Sequence, residues 1–112
     1  MKAEDLTREF ANRYVSYSGG LLLLSAADAV ALVERAANEG LPVLGIDGIS
    51  VSQGRTDSLV ENIADFSSAV SAGKGCWEEA KAFIDVRRRG GLVFEVVLGE
   101  AHVLPNQPLQ RT

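Results

Sequence analysis

The spacing of apolar residues predicts two α-helices in the first part of the chain. Near the N-terminus apolar side chains recur every three or four residues, the period of a helix that buries one face. They are Leu6, Phe10, Tyr14 and Tyr17. This first helix is expected to end at Gly19-Gly20. A second helix is expected to begin at Ser25, because Ser25 and Asp28 have the spacing of a capping box. It should end at Gly40, since glycine readily forms a left-handed cap.

The same period predicts two further helices in the second half of the chain. One is expected over residues 57–68. Its inward-facing residues would be Leu59, Ile63 and Phe66. The other begins near Trp77, and the spacing of Trp77 with Ala80 and Ile84 indicates that the indole packs in the core. This fourth helix is expected to end at residues 87–89, three arginines whose positive charge complements the helix dipole.

Short apolar runs between these helices predict strands. Pro42 precedes a strand at 43–46, and Asp47-Gly48 then has the composition of a two-residue hairpin turn. The alternation of apolar and polar residues over 49–52 predicts the returning strand of that hairpin. Residues 21–24, four leucines, are either a short buried strand or the lead-in to the second helix, because periodicity cannot separate the two over so few residues.

The C-terminal part adds a nearly continuous apolar strand at 92–98, interrupted only by Glu95, and a last short strand at 101–104. Together the elements predict a two-layer α+β fold, with about four helices packed on one face of a small, mostly antiparallel sheet. Segments 43–46 and 92–98 would be central in it. Residues 1–104 would form one domain, and residues 105–112 a flexible tail. The expected core residues are Leu6, Phe10, Tyr14, Leu32, Val33, Val43, Leu44, Ile46, Ile63, Phe66, Trp77, Ile84, Phe94 and Val96.

The overall charge restricts the class of partner. The net charge is −4 at pH 7. Proteins that bind nucleic acid usually neutralise phosphates with clustered Lys and Arg, so a nucleic-acid partner is not expected. An acidic surface instead suits a basic protein, which it attracts over long range.

The residues that carry most enzyme chemistry are scarce. The chain has one histidine, His102, and one cysteine, Cys76. This excludes an intramolecular disulfide and the paired-ligand spacings of zinc sites. Cys76 is expected to be a small buried hydrophobe, although its position near a helix N-terminus could lower its thiol pKa. No cofactor, metal or catalytic residue is predicted.

A targeting segment is not expected from the residues at the start of the sequence. Its N-terminus is charged and lacks the apolar centre of a signal peptide. The longest aliphatic run, residues 21–24, is far shorter than the roughly 20 residues that a membrane span requires. A cytoplasmic protein without membrane contact is therefore expected.

The candidate partner-binding residues are four carboxylates. Asp57, Glu61 and Asp65 lie four residues apart, so they would share one exposed face of the predicted third helix. Asp47, in the predicted hairpin turn, would lie beside the N-terminal end of that helix. Such a stripe is either a solvated helix face or a surface that meets a basic partner.

Four segments together resemble a known family: residues 40–49 (GLPVLGIDGI), 63–67 (IADFS), 77–84 (WEEAKAFI) and 94–98 (FEVVL). In this order and spacing the chain is similar to small immunity proteins of bacterial polymorphic-toxin systems, which bind and block a cognate toxin domain in the producing cell. The resemblance covers roughly residues 25–98. Ile49 stands where such proteins often have an aromatic residue, and no functional residue can be carried across.

The resemblance implies a stoichiometric, non-catalytic inhibitor that occludes a basic toxin domain. Two other classes of function stay open: a small regulatory or adaptor domain, and an enzyme or ligand-binding domain with a pocket that the sequence does not reveal. A homodimer is also open, because a strand at 101–104 would offer an edge for pairing across a two-fold axis.

Overall fold

The computed structural model describes residues 1–16, 22–52 and 55–101 of the chain. The order of elements in these residues is α1 (Ala3–Glu9), β1 (Val15–Ser16), β2 (Leu22–Leu23), α2 (Ala26–Glu39), β3 (Val43–Ser52), β4 (Arg55–Asp65), α3 (Ser67–Ser71), α4 (Trp77–Arg87) and β5 (Val93–Leu98). One turn of 3-10 helix, Arg88–Gly90, follows α4. The predicted α+β class is confirmed.

Local signals set the bounds of α2 as predicted. The Ser25 hydroxyl accepts a hydrogen bond from the Asp28 backbone N–H at 3.2 Å, which satisfies a donor that the first helical turn leaves unpaired. Gly40 ends the helix with φ of 71°, in the left-handed region where a side chain is strained. The buried stripe of α2 consists of Ala29, Leu32, Val33 and Ala36.

The predicted first helix is too long. The helix ends at Glu9, with Phe10 as its C-terminal cap, because the following residues enter a different pairing: Val15 lies opposite Leu23 in a short antiparallel ribbon. Of the four leucines at 21–24, the ones that the structure describes therefore pair as a strand and do not form a lead-in to α2. Leu24 continues this strand with two backbone hydrogen bonds to Phe94, of 2.8 and 2.7 Å. Tyr17 and Gly19-Gly20 lie outside the described residues.

The predicted hairpin at Asp47-Gly48 is wrong, because β3 continues through both residues and is the middle strand of the order β4-β3-β5. Gly48 is required by close packing and not by a turn. A Cβ on Gly48 would lie 3.1 Å from a Leu92 methyl carbon and 3.4 Å from Asn62. The prediction that 92–98 is central is also wrong, since β5 is an outer strand of this sheet.

The predicted helix at 57–68 is wrong as well. Residues up to Asp65 form β4, and only the short helix α3 follows. The register with β3 shows why the sequence misleads. Ser58 lies opposite Ile49 and Ile63 lies opposite Asp47, so five residue steps on β4 correspond to two on β3. Leu59 and Ile63 have helical spacing in the sequence, but Leu59 lies in this bulge. Both side chains are roughly half-exposed, so they form no buried helix face.

Helices α2 and α4 pack on one face of the sheet and bury a single core. Of the predicted core, eight residues are buried: Leu6, Phe10, Leu32, Val33, Val43, Ile46, Ile84 and Phe94. Tyr14, Phe66, Trp77 and Val96 pack against them while partly exposed. Ile63 is a wrong prediction, since 48% of its surface is exposed. Leu44 lies outside the core cluster. Residues 102–112, including most of the predicted last strand, lie outside the described part.

Gly75 provides a test of the packing. The Trp77 indole donates to the Leu41 carbonyl at 2.7 Å, and it lies so close to Gly75 that a Cβ there would overlap the ring. We expect Gly75→Ala to displace the indole and lower the free energy of unfolding by about 1–3 kcal/mol. Gly90→Ala is the matched control, because its Cβ would meet Leu92 at an ordinary 3.7 Å. Urea unfolding followed by fluorescence of the sole tryptophan measures both, and equal midpoints for the two variants would contradict the packing.

Candidate protein-binding surface

The face of the sheet opposite to α2 and α4 is largely open to solvent. Opposed residues of antiparallel strands share a face. Asp47 lies between Ile63 on β4 and Glu95 on β5, and in the next row Gly45 lies between Asp65 and Val97. We call the side chains of these two rows the open face. Its members are Asp47, Ile63, Asp65, Glu95 and Val97.

The open face combines apolar surface with carboxylates. Ile63 and Val97 are 48% and 45% exposed. Between the two rows runs a shallow depression of about 340 Å³. Gly45 leaves its centre without a side chain, and a Cβ there would approach the Ala64 carbonyl oxygen to 2.9 Å.

Asp47 and Glu95 face each other across neighbouring strands. Directly opposed side chains have Cβ atoms roughly 4.5–5.5 Å apart, and like charges in this arrangement lower stability. Asp47 is held in place by the Ser58 hydroxyl, which donates to its Oδ1 at 2.6 Å. The centre of the open face therefore carries a concentration of negative charge that the fold itself does not neutralise with an ion pair among the described residues.

Asp65 is fixed by the start of α3. Its Oδ1 accepts from the Ser67 hydroxyl at 2.6 Å and from the Ser67 backbone N–H at 2.9 Å. These two hydrogen bonds, the hydroxyl first, lower the pKa of Asp65 below its ordinary value. The carboxylate thus has a defined orientation at the edge of the open face.

The four sequence-predicted residues do not form one stripe. Asp47 and Asp65 share the open face. Asp57 lies opposite Ser50, three residues from Asp47, and therefore points to the other side of the sheet. Glu61 lies in the bulge. All three carboxylates of β4 are exposed, as predicted, but the helix that was to unite them is absent.

Two residues near the candidate carboxylates were not predicted as site residues: Glu95 on the open face, and Arg87, which contacts Glu61. Glu95 has a signal, as the one charged residue within an apolar strand. Arg87 has none, because Glu61 and Asn62, its contacts on β4, are distant in sequence. It donates from Nη2 to the Glu61 carbonyl at 2.8 Å, from Nε to Asn62 Oδ1 at 3.2 Å and from Nη1 to the Phe83 carbonyl at 3.1 Å. Its guanidinium also stacks 3.7 Å from the centre of the Phe83 ring.

Cys76 is confirmed as a small buried residue. It is 4% exposed, and burial, assisted by the charge of Glu79, raises the pKa of its thiol, so the suggested lowering is wrong. His102 lies outside the described residues. Within the described ranges, no three His, Cys, Asp or Glu residues are grouped so that they could hold a metal ion. In those ranges, too, every helix is too short or too polar to cross a membrane.

Comparison of the chain with models of known protein families found no match, and comparison with curated proteins found none either. What the open face can do therefore follows from its own geometry. The open face is a shallow, partly apolar surface with fixed carboxylates rather than an enclosed ligand cavity. Cationic side chains of a partner are the groups that would complement it.

The hydrogen bonds to Asp65 can be tested by titration. We expect Ser67→Ala to raise the pKa of Asp65 towards its ordinary value, because the hydroxyl bond is the larger cause of the shift. A lowered folded-state pKa stabilises the fold above the unfolded-state pKa, and this effect is lost as the pH falls through the folded-state value. Ser67→Ala should therefore reduce the loss of stability in acid. Carboxyl NMR titration measures the pKa, with Ser68→Ala as the control that leaves it unchanged. An unchanged titration in Ser67→Ala would contradict this account.

Proposed function

We propose that this chain is a non-catalytic inhibitor that binds another protein through the open face, in the manner of an immunity protein that occludes a bacterial toxin domain. The observation that carries the proposal is the opposed pair of Asp47 and Glu95 on a partly apolar, solvent-exposed sheet face. In this proposal the partner presents a basic surface, and the complex forms in the cytoplasm of the producing cell.

The opposed carboxylates favour binding over a purely structural role. Their repulsion lowers the stability of the free protein, and a Lys or Arg of a partner placed between them would remove it. A cationic partner would therefore stabilise this protein more than it would stabilise a sheet without opposed carboxylates. The surrounding apolar surface of Ile63 and Val97 adds contact area that a partner would take out of water.

Occlusion requires a rigid surface rather than a reacting group. The open face lies on the sheet whose other side packs against α2 and α4. Its carboxylates Asp47 and Asp65 are held by hydrogen bonds before binding, so they lose little conformational freedom on association. The resemblance of residues 25–98 to immunity proteins supports a toxin domain as the partner. A metabolic enzyme encoded beside this chain would instead support a regulatory adaptor.

The proposal is tested with the C-terminal domain of the protein encoded next to this chain. Expression of that domain alone in a bacterial host should arrest growth, and co-expression of this chain should restore it by forming a complex of fixed stoichiometry. Undiminished arrest together with no complex on gel filtration would overturn the proposal.

The charge of the open face sets the expected kinetics. We expect Asp47→Asn with Glu95→Gln to slow association with that domain by about tenfold at low salt, because steering by complementary charge raises association rates. The same double variant should be slightly more stable, since it removes the repulsion.

The matched control is Glu34→Gln with Glu79→Gln, which removes the same charge from exposed positions of the helical layer. Stopped-flow association at two ionic strengths separates the two double variants. Equal association rates for both would show that only the net charge matters and that the open face is not the contact surface.

A further inference from the structure

The bulge of β4 presents an apolar crest beside the open face. It comprises residues 59–62, which lie between the two paired segments of β4 and have no partner on β3. Its first two residues, Leu59 and Val60, are 52% and 85% exposed, and Val60 is the most exposed of the large apolar side chains in the described residues. We call these two residues the crest.

We propose that the crest is the apolar anchor of the partner complex and that Arg87 is the positioning residue that holds it in place. This inference rests on the proposed function and specifies where the partner is held. The occupant is a pocket on the same basic protein, apolar at its centre and lined by Lys or Arg at its rim.

Arg87 fixes the backbone of the bulge. One guanidinium holds the Glu61 carbonyl and the Asn62 amide oxygen, and it is itself fixed by the carbonyl and the ring of Phe83 on α4. Bulges redirect side chains away from a regular ladder. An apolar pair that is already ordered loses less entropy on binding than one in a free loop. Leucine and valine are less common anchors than aromatic residues, so preorganisation gives this pair its importance.

Gly48 completes the arrangement from the side of β3. It lies opposite the bulge, and its missing side chain makes room for Asn62 and Leu92. Asn62 can therefore turn towards α4 and meet Arg87, while Leu59 and Val60 remain in solvent. The bulge is thus positioned by two elements: α4 holds it through Arg87, and β3 leaves room for Asn62 at Gly48.

Charge decides between a partner protein and a second copy of this chain. Exposed carboxylates flank the crest in the sequence, at Asp57 and Glu61, and the open face follows directly with Ile63. Crest-to-crest association of two copies would bring these like charges together. A partner with basic side chains around an apolar pocket would instead complement the crest and the open face at once.

Val60→Ser tests the anchor, and Val86→Ser is its control. Val86 on α4 is 80% exposed, so both changes remove a similar apolar surface from water-facing positions. We expect Val60→Ser to weaken binding of the neighbouring-gene toxin domain about tenfold, mostly through faster dissociation, because a valine is taken out of water only in the complex. Val86→Ser should change the affinity less than about twofold. Surface plasmon resonance measures both rates.

Arg87→Met tests the positioning role, with hydrogen exchange and a double-mutant cycle as readouts. The amides of residues 59–62 should exchange faster in Arg87→Met, and binding should weaken. If Arg87 acts through the crest, Arg87→Met should weaken binding much less in the Val60→Ser background than in the wild type. The reason is that the effects of two substitutions are non-additive only when the residues are coupled. Arg87→Lys should restore part of the affinity, since lysine can still donate to the Glu61 carbonyl.

The outcomes separate the two proposals. Additive effects of Val60→Ser and Arg87→Met would reduce Arg87 to a structural role and overturn its part in this inference. Binding of Val60→Ser equal to that of Val86→Ser would overturn the crest as an anchor while the proposed function stands. Absence of binding by the wild-type chain would remove the proposed function and the anchor with it.

Discussion

The fold depends on the pairing of β3 with a strand on each side. β3 is ten residues long, and it packs against β4, β5, α3 and α4. Its inward residues Val43 and Ile46 are buried beneath the helices. This burial stabilises one face of the sheet. The opposite face stays in contact with solvent, and the carboxylates of the open face lie there.

Glycine at two positions of β3 lets the sheet take its unusual shape. Gly45 leaves the depression of the open face empty at its centre, and Gly48 admits the side chains that fill the space beneath the bulge. Neither has the positive φ that would mark a turn. Both are needed for close approach of neighbouring atoms, which is the other physical reason for glycine in a strand.

The helical layer also shapes the surface from behind. Arg87 extends from the end of α4 to the backbone of the bulge, where it donates to the Glu61 carbonyl next to the exposed pair Leu59 and Val60. A surface held in this way is ordered before it meets a partner. That property would suit the proposed inhibitor, which acts by occupying a site and needs no moving part.

The sequence by itself determined the elements that local chemistry decides. Ser25 and Gly40 set the ends of α2, and the apolar face of α4 from Trp77 to Ile84 was predicted with the α+β class. The sequence also placed Asp47 and Asp65 among the candidate binding residues, and whether they contact a partner stays a prediction. It misjudged β4, where exposed apolar residues have helical spacing, and Asp47-Gly48, where glycine has two possible uses.

Only the tertiary structure decided which carboxylates share a surface. A register shift in β4 turns Asp57 to the opposite side of the sheet from Asp65, and antiparallel pairing brings Glu95 next to Asp47 from nearly fifty residues away. Arg87 reaches Glu61 and Asn62 in the same way. The physical reason is that strand register and bulges depend on contacts between distant segments, whereas caps and amphipathic faces depend on residues a few positions apart.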